Sequence, residues 1–257
     1  VVELSEATEQ VVLEHVKGVE GIIVPFTKEP VITRQVIDRG DSLRLVGTTF
    51  GGTRQNIDDQ YALERGLTVI HTGASRPRPM AEFTLGLILS SLMHIHNYHR
   101  DMRGGEAWPR TKYPRGRILQ DRAVGVIGFG RIGQGIVDLL RAFTDRLYVH
   151  SRHLPDGEAN TKGVRKLALD DMFAKCEVIV LAGGYTPETH HMIRKTHFDR
   201  MQPGALFVNI ARGGMVHQEE MIRALAERDI YLALDVFEQE PLPADSPLRQ
   251  SDRVLLV

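Results

Sequence analysis

The run Val124-Gly125-Val126-Ile127-Gly128-Phe129-Gly130-Arg131-Ile132-Gly133 constrains this chain more than any other stretch. It sets G-x-G-x-x-G between a short apolar segment and a segment of helical period, marked by Ile132, Ile136, Val137 and Leu140. In a strand–turn–helix each glycine has a separate physical task. Gly128 permits the tight turn, Gly130 lets a pyrophosphate approach the backbone, and Gly133 lets helix and strand pack closely. The helix that follows offers unpaired N–H groups and the positive end of its dipole to phosphate. The competing reading, a glycine turn with no ligand, has no use for all three positions.

The tip of the next strand discriminates between dinucleotides. A site for NAD usually carries Asp or Glu there, about 20 residues on, to hold the ribose 2′-hydroxyl. Here the tip reads Val149-His150-Ser151-Arg152-His153, without an acid. Ser151 can donate a hydrogen bond and Arg152 can pair with a 2′-phosphate, so NADP is the expected cofactor. NAD stays open, because Asp156 or Glu158 could fold back toward the ribose.

Short β-branched runs alternate with helical segments along the chain. The runs are 21–24, 43–47, 67–70, 123–127, 146–150, 177–181, 205–210 and 230–235, with another at 254–257. Such alternation implies an α/β fold of parallel sheets with helices on both faces. The chain divides near Pro77–Pro79, and one long helix is expected from about Met80 to Met102. Two doubly wound parallel-sheet domains follow from this. Residues 1–78 form a flavodoxin-like substrate domain, read as incomplete because no full strand precedes its first helix. Residues 79–257 form a Rossmann dinucleotide-binding domain that includes the long helix.

Composition excludes several function classes. With 42% hydrophobic and 25% charged residues the chain is not disordered. A formal net charge of −1 argues against nucleic acid as a partner. No apolar stretch approaches the roughly 18 residues of a membrane span, so no membrane association is expected. The single cysteine, Cys176, excludes a disulfide framework and fits a reducing, cytoplasmic setting; it reads as a buried apolar residue. His94, His96 and His99 make no clean i, i+4 pair, so no metal site is expected.

Two further motifs carry chemistry. Phe207-Val208-Asn209-Ile210-Ala211-Arg212-Gly213-Gly214 ends a strand on an arginine, and strand C-terminal ends line the ligand crevice of open α/β sheets. A guanidinium there can hold a carboxylate or a keto oxygen through two parallel hydrogen bonds. The next strand runs into Asp235-Val236-Phe237-Glu238-Gln239-Glu240-Pro241, with three acids at or past its end.

Together with Asn56-Ile57-Asp58, Met80-Ala81-Glu82, the segment from Gly104 to Trp108 and Thr186-Pro187-Glu188-Thr189, these motifs make the chain resemble the D-isomer-specific 2-hydroxyacid dehydrogenases, glyoxylate/hydroxypyruvate reductases among them. The resemblance spans nearly the whole chain, and the order and spacing of its motifs are highly specific. It implies an NAD(P)-dependent oxidoreductase of small 2-oxo and D-2-hydroxy acids, working as a reductase. By resemblance, Arg212 binds substrate and Glu240 holds a catalytic histidine. Asp235 meets the nicotinamide carboxamide, while Ala211 and Met80 lie beside that ring. Arg131 and Ile132 touch the pyrophosphate, and Gly51 and Gly52 cradle the substrate carboxylate. A homodimer through the long helix and residues 104–122 is also implied.

The chain departs from the family in places. The family histidine sits in a Pro-His pair after the strand equivalent to 252–257, and no residue here takes its role. The expectation is therefore a fragment of a longer enzyme; the alternatives are a short inactive form, or a dinucleotide-sensing protein like the corepressors of the family. His217 stands where the family has a helix N-terminal acid, and Gly183-Gly184-Tyr185 replaces its usual Leu-Pro-Leu. Arg54, Arg76 and Arg78 would add positive potential near the substrate.

Overall fold

The computed structural model describes residues 3–25, 27, 29–53 and 56–257, so Arg54 lies outside the described residues. The chain forms two compact units, Val1–Pro77 and Arg78–Val257.

The first unit holds three parallel strands in spatial order β1 (Gly21–Val24), β2 (Leu45–Thr48) and β3 (Thr68–His71). Its helices are α1 (Glu9–His15), α2 (Arg34–Arg39) and α3 (Asp59–Glu64). Each starts at a polar cap: the side chains of Thr8, Thr33 and Asp58 accept from the N–H of Val11, Val36 and Tyr61. Their inner faces bury Val12, Val36, Ile37 and Ala62 together with Val24 and Val46. The other face of the sheet leaves Ile23 and Ile70 exposed.

The second unit opens with α4 (Pro77–Leu92), which begins at the unit boundary, and α5 (Ile95–Arg103). One continuous helix was expected here, and the structure corrects this. His94 adopts φ +52°, which ends the helical hydrogen-bond ladder. Packing accounts for the break: the His94 ring is buried, 5.8 Å from Tyr113 and 5.6 Å from Tyr231. The prolines at 77 and 79 lie in the first turn of α4, where a missing N–H costs no hydrogen bond.

The rest of this unit is a seven-stranded parallel sheet. Along the chain it comprises β4 (Val124–Ile127), α6 (Arg131–Leu140), β5 (Leu147–His150), α7 (Asp156–Thr161), β6 (Arg165–Lys166), α8 (Leu169–Lys175) and β7 (Val178–Leu181). It continues with α9 (Lys195–Phe198), β8 (Ala205–Asn209), α10 (Gln218–Glu227), β9 (Ile230–Leu234) and β10 (Val254–Leu256). The spatial order is β10-β9-β8-β7-β4-β5-β6. The direction of winding reverses between β4 and β7, and all strands point the same way, so every βα loop emerges on one edge. β6 is a two-residue edge strand, too short and polar to leave a periodic signal.

The central strands are apolar on both faces, which is why they read as continuous runs. Val124, Val126, Val178, Val180, Leu206 and Val208 point to one side, onto Ile88 and Leu92 of α4 and Ile136, Val137 and Leu140 of α6. Ile127, Ile179, Leu181 and Phe207 point to the other, onto Phe173 and Phe198. Phe173, Phe198 and Phe207 pack with ring centroids 5.2–5.9 Å apart.

Replacing the fully buried Phe173 by Ala removes one corner of this trio and should cost ~3–5 kcal/mol in denaturant unfolding. Cys176 is fully buried, and burial pushes its thiol up to about 12. It should resist a thiol-disulfide reagent in the native protein and react once the chain is unfolded.

Candidate active site

The glycine elbow sits at the switch point. Gly128 has φ +96°, and a Cβ there would lie 2.6 Å from the Gly183 Cα and 2.8 Å from the Ala182 carbonyl carbon. The loops after β4 and β7 thus touch backbone to backbone, and this is where Gly183 stands in place of the family's Leu-Pro-Leu. Gly133 is equally constrained, since a Cβ would overlap the Gly128 carbonyl oxygen. Gly130 differs: a Cβ there meets no atom within 4 Å. It caps α6 without a side-chain hydrogen bond, so the first-turn N–H groups of Arg131, Ile132 and Gly133 lack a capping acceptor. Open space over Gly130 and an uncapped ten-residue helix fit a pyrophosphate, with Arg131 exposed beside it.

At the tip of β5, Ser151 is half-buried and Arg152 is exposed. Asp156 pairs with Lys166 at 2.9 Å and Glu158 approaches Lys162 at 3.7 Å, so both acids have cationic partners of their own. The structure adds an acid that the strand tip itself lacks. Glu188 is held below the usual carboxylate range, chiefly by the Thr186 hydroxyl and its own backbone N–H, with the Arg152 charge contributing. In the sequence Glu188 is only one letter of the Thr186-Pro187-Glu188-Thr189 motif; its interaction with Arg152 arises from loops after β5 and β7 that are remote in sequence.

Arg212 follows β8 on a turn organised by Asn209. The buried Asn209 side chain accepts from the Ala211 N–H at 3.1 Å and donates to the Arg212 carbonyl at 3.4 Å. Ala211 is itself buried, and its carbonyl accepts from Arg212 Nη1 at 2.7 Å. Asn209 carries no functional mark in the sequence motif, yet its two hydrogen bonds shape the turn. A Cβ on Gly213 would overlap the Phe237 carbonyl, so this turn rests directly on the loop after β9. That loop carries Asp235 and Glu240. Glu240 Oε1 accepts from the Phe237 N–H at 3.0 Å. Burial, and then the Glu240 charge, push the Asp235 carboxyl up, while Arg212 pulls it back. The three charged groups therefore sense one another along the ends of β8 and β9. A cavity of about 510 Å³ lies beside them, lined by Asp235, Phe237, Glu240, Leu242 and Leu256 among others. Arg212 and the glycine elbow are not part of its lining.

Met80 lies in the first turn of α4, half-buried, and packs against the core that contains Ile88 and Ile136. Gly51 and Gly52 belong to the first unit. A Cβ on Gly52 meets nothing within 4 Å, and one on Gly51 would lie 3.1 Å from Arg76 Cδ. Arg76 packs over the Phe50 ring at 4.8 Å, whereas Arg78 pairs with Glu82 at 2.5 Å. His94 is buried for the packing reason given above.

Residues 85–257 match the family described as D-isomer specific 2-hydroxyacid dehydrogenase, NAD binding domain. The chain belongs to this family. It is 32% identical over 250 residues to D-3-phosphoglycerate dehydrogenase of Methanocaldococcus jannaschii, covering 96% of this chain and 47% of that protein. Against glyoxylate reductase of Thermofilum pendens it is 32% identical over 249 residues, covering 95% and 72%. D-lactate dehydrogenase of Aquifex aeolicus, solved with NAD and lactic acid, superposes with a TM-score of 0.74 at 27% identity, covering 95% of this chain and 77% of that one. The chain thus spans about half the length of the first relative and about three quarters of the other two. Its class is that of its family, oxidoreductases built on an NAD-binding Rossmann domain.

Asp235 gives a pH test. Its carboxyl is raised, so the fold disfavours its charged form, and that cost is present above the ordinary Asp range and disappears as pH falls. Asp235→Asn should therefore raise the melting temperature at pH 7, with the gain shrinking toward pH 3, as followed by thermal denaturation.

Proposed function

We propose that this chain belongs to an NADP-preferring reductase of small 2-oxo acids such as glyoxylate. The observation that carries the reading is the convergence of Arg212, Asp235 and Glu240 at the same sheet edge as the glycine elbow. The second unit is the dinucleotide-binding domain in this proposal.

A bound nicotinamide dinucleotide supplies the hydride. The residues of the chain do the rest. The N–H groups opening α6, with Arg131, hold the pyrophosphate. Asp235 holds the carboxamide, with Ala211 and Met80 beside the ring. Arg212 orients the 2-oxo acid and polarises its carbonyl as charge develops on oxygen. Glu240 has one oxygen on the Phe237 N–H; its other oxygen is available to a histidine, whose charged form a neighbouring carboxylate favours. Ser151 and Arg152 take the 2′-phosphate.

The same reading includes a cytoplasmic homodimer. Met93, Ile95, Met102, Trp108 and Ile118 are all at least 41% exposed on the break before α5, on α5 and on the segment that follows, a concentration of apolar surface that a second copy would cover. No helix among the described residues is long and apolar enough to cross a membrane.

The test is oxidation of NADPH and NADH with glyoxylate by the protein expressed with its flanking coding sequence. Turnover with lower KM for NADPH is expected; no turnover with any 2-oxo acid under either cofactor would end the reading. Ser151→Asp with Arg152→Ala should move the preference toward NADH by about 10-fold or more, the worth of one charge-assisted pair. Light scattering should give twice the chain mass, and Trp108→Glu with Ile118→Glu should give monomers.

A further inference from the structure

Behind the Arg212 turn lies a cluster that the proposed chemistry does not use. His191 Nε2 donates to Glu238 Oε1 at 2.5 Å. The second oxygen of Glu238 accepts from the Gln218 N–H at 3.0 Å, and the Glu238 N–H donates to Gln218 Oε1 at 3.1 Å. The His191 N–H donates to the Gly214 carbonyl at 2.9 Å. Its ring stacks on that of His190, with centroids 3.8 Å apart, and lies 4.7 Å from the tilted ring of His217. Burial opposes the charged form of Glu238, yet the Gln218 N–H, His191 and His217 hold its carboxyl below the usual range.

The position of this pair matters more than its strength. Glu238 sits between Phe237, whose carbonyl packs on Gly213, and Glu240. His191 reaches the turn through Gly214, and Gln218 opens the helix into which that turn runs. Two loops that carry the charged groups of the site, one after β8 and one after β9, are thus closed on each other by a third, the segment before α9. His191 has φ +49°, a left-handed conformation that a non-glycine residue keeps only where its surroundings impose it. Neither side chain lies among the groups assigned to substrate or cofactor.

We propose that His191 and Glu238 are positioning residues, a clamp that fixes the Arg212 turn against the Glu240 loop. The proposal rests on Arg212 and Glu240 being the working groups of the reductase. A guanidinium that must meet a carbonyl in line with hydride transfer tolerates little displacement, and an error of about 1 Å can cost 100-fold in rate.

The experiment compares His191→Ala, Glu238→Ala and the conservative His191→Gln, which retains a donor, in the full-length protein. Steady-state kinetics with glyoxylate and amide hydrogen exchange are measured on each. The clamp predicts kcat/KM for glyoxylate down by about 10- to 100-fold in both alanine variants, with binding of NADPH unchanged and much of the loss recovered in His191→Gln. It also predicts faster exchange confined to 212–218 and 236–240, with β8 and β9 as protected as before. Unchanged exchange in those two segments overturns the clamp, whatever the rates do, and so does kcat/KM at the wild-type value. If an alanine variant does not fold, Glu238→Leu and His191→Leu, which break the pair while keeping side-chain bulk, are read by the same criteria. A wild-type protein with no 2-oxo acid activity would end the reading of Arg212 and Glu240, and the exchange arm would still decide whether the pair clamps the two loops.

Discussion

Backbone packed directly on backbone is the constraint on which the nucleotide-binding unit depends. At the C-terminal edge of the sheet it joins one βα loop to another at Gly128 against Gly183 and at Gly213 against Phe237. A parallel sheet delivers every βα loop to the same edge, but it does not by itself bring the loops into contact. Removing a Cβ at these two positions does. The first contact closes the switch point between β4 and β7 beside the uncapped start of α6. The second seats the Arg212 turn on the loop that carries Asp235 and Glu240. Side chains with opposing charges can then share one edge without a dedicated cage.

Much of this was legible because glycine and buried strands leave strong marks. G-x-G-x-x-G after Val124–Ile127 is informative since only a strand–turn–helix needs three glycines so spaced, and β4, β7 and β8 are apolar on both faces and announce themselves as runs. What stayed hidden depends on contacts between distant segments. The break at His94 is set by Tyr113 and Tyr231, which no local pattern links to it. The role of Asn209 lies in the hydrogen bonds it makes to the next turn, and an Asn at a strand end carries no such label. The pairing of His191 with Glu238 joins residues 47 positions apart. β6, two residues at an edge, gives nothing for periodicity to detect.

Cofactor preference shows how one charge reads differently once folded. In sequence Arg152 is a cation at an acid-free strand tip. In the fold it has a neighbour, Glu188, whose charge it helps to stabilise. That contribution is small beside those of the Thr186 hydroxyl and the Glu188 backbone N–H, and the guanidinium itself is exposed. Asp156 and Glu158, the acids that could serve a 2′-hydroxyl, each lie near a lysine. The cations and carboxylates around the strand tip thus belong to three different segments, and only one of these charges, Arg152, lies at the tip itself.

The most direct test of the account is a crystal structure of the protein with NADPH and a non-reacting 2-oxo acid analogue. The account predicts the pyrophosphate over Gly130, the 2′-phosphate on Arg152 and Ser151, and the analogue's carbonyl oxygen within hydrogen-bond distance of Arg212. A nucleotide bound elsewhere, or an Arg212 guanidinium directed away from the nicotinamide ring, would contradict it.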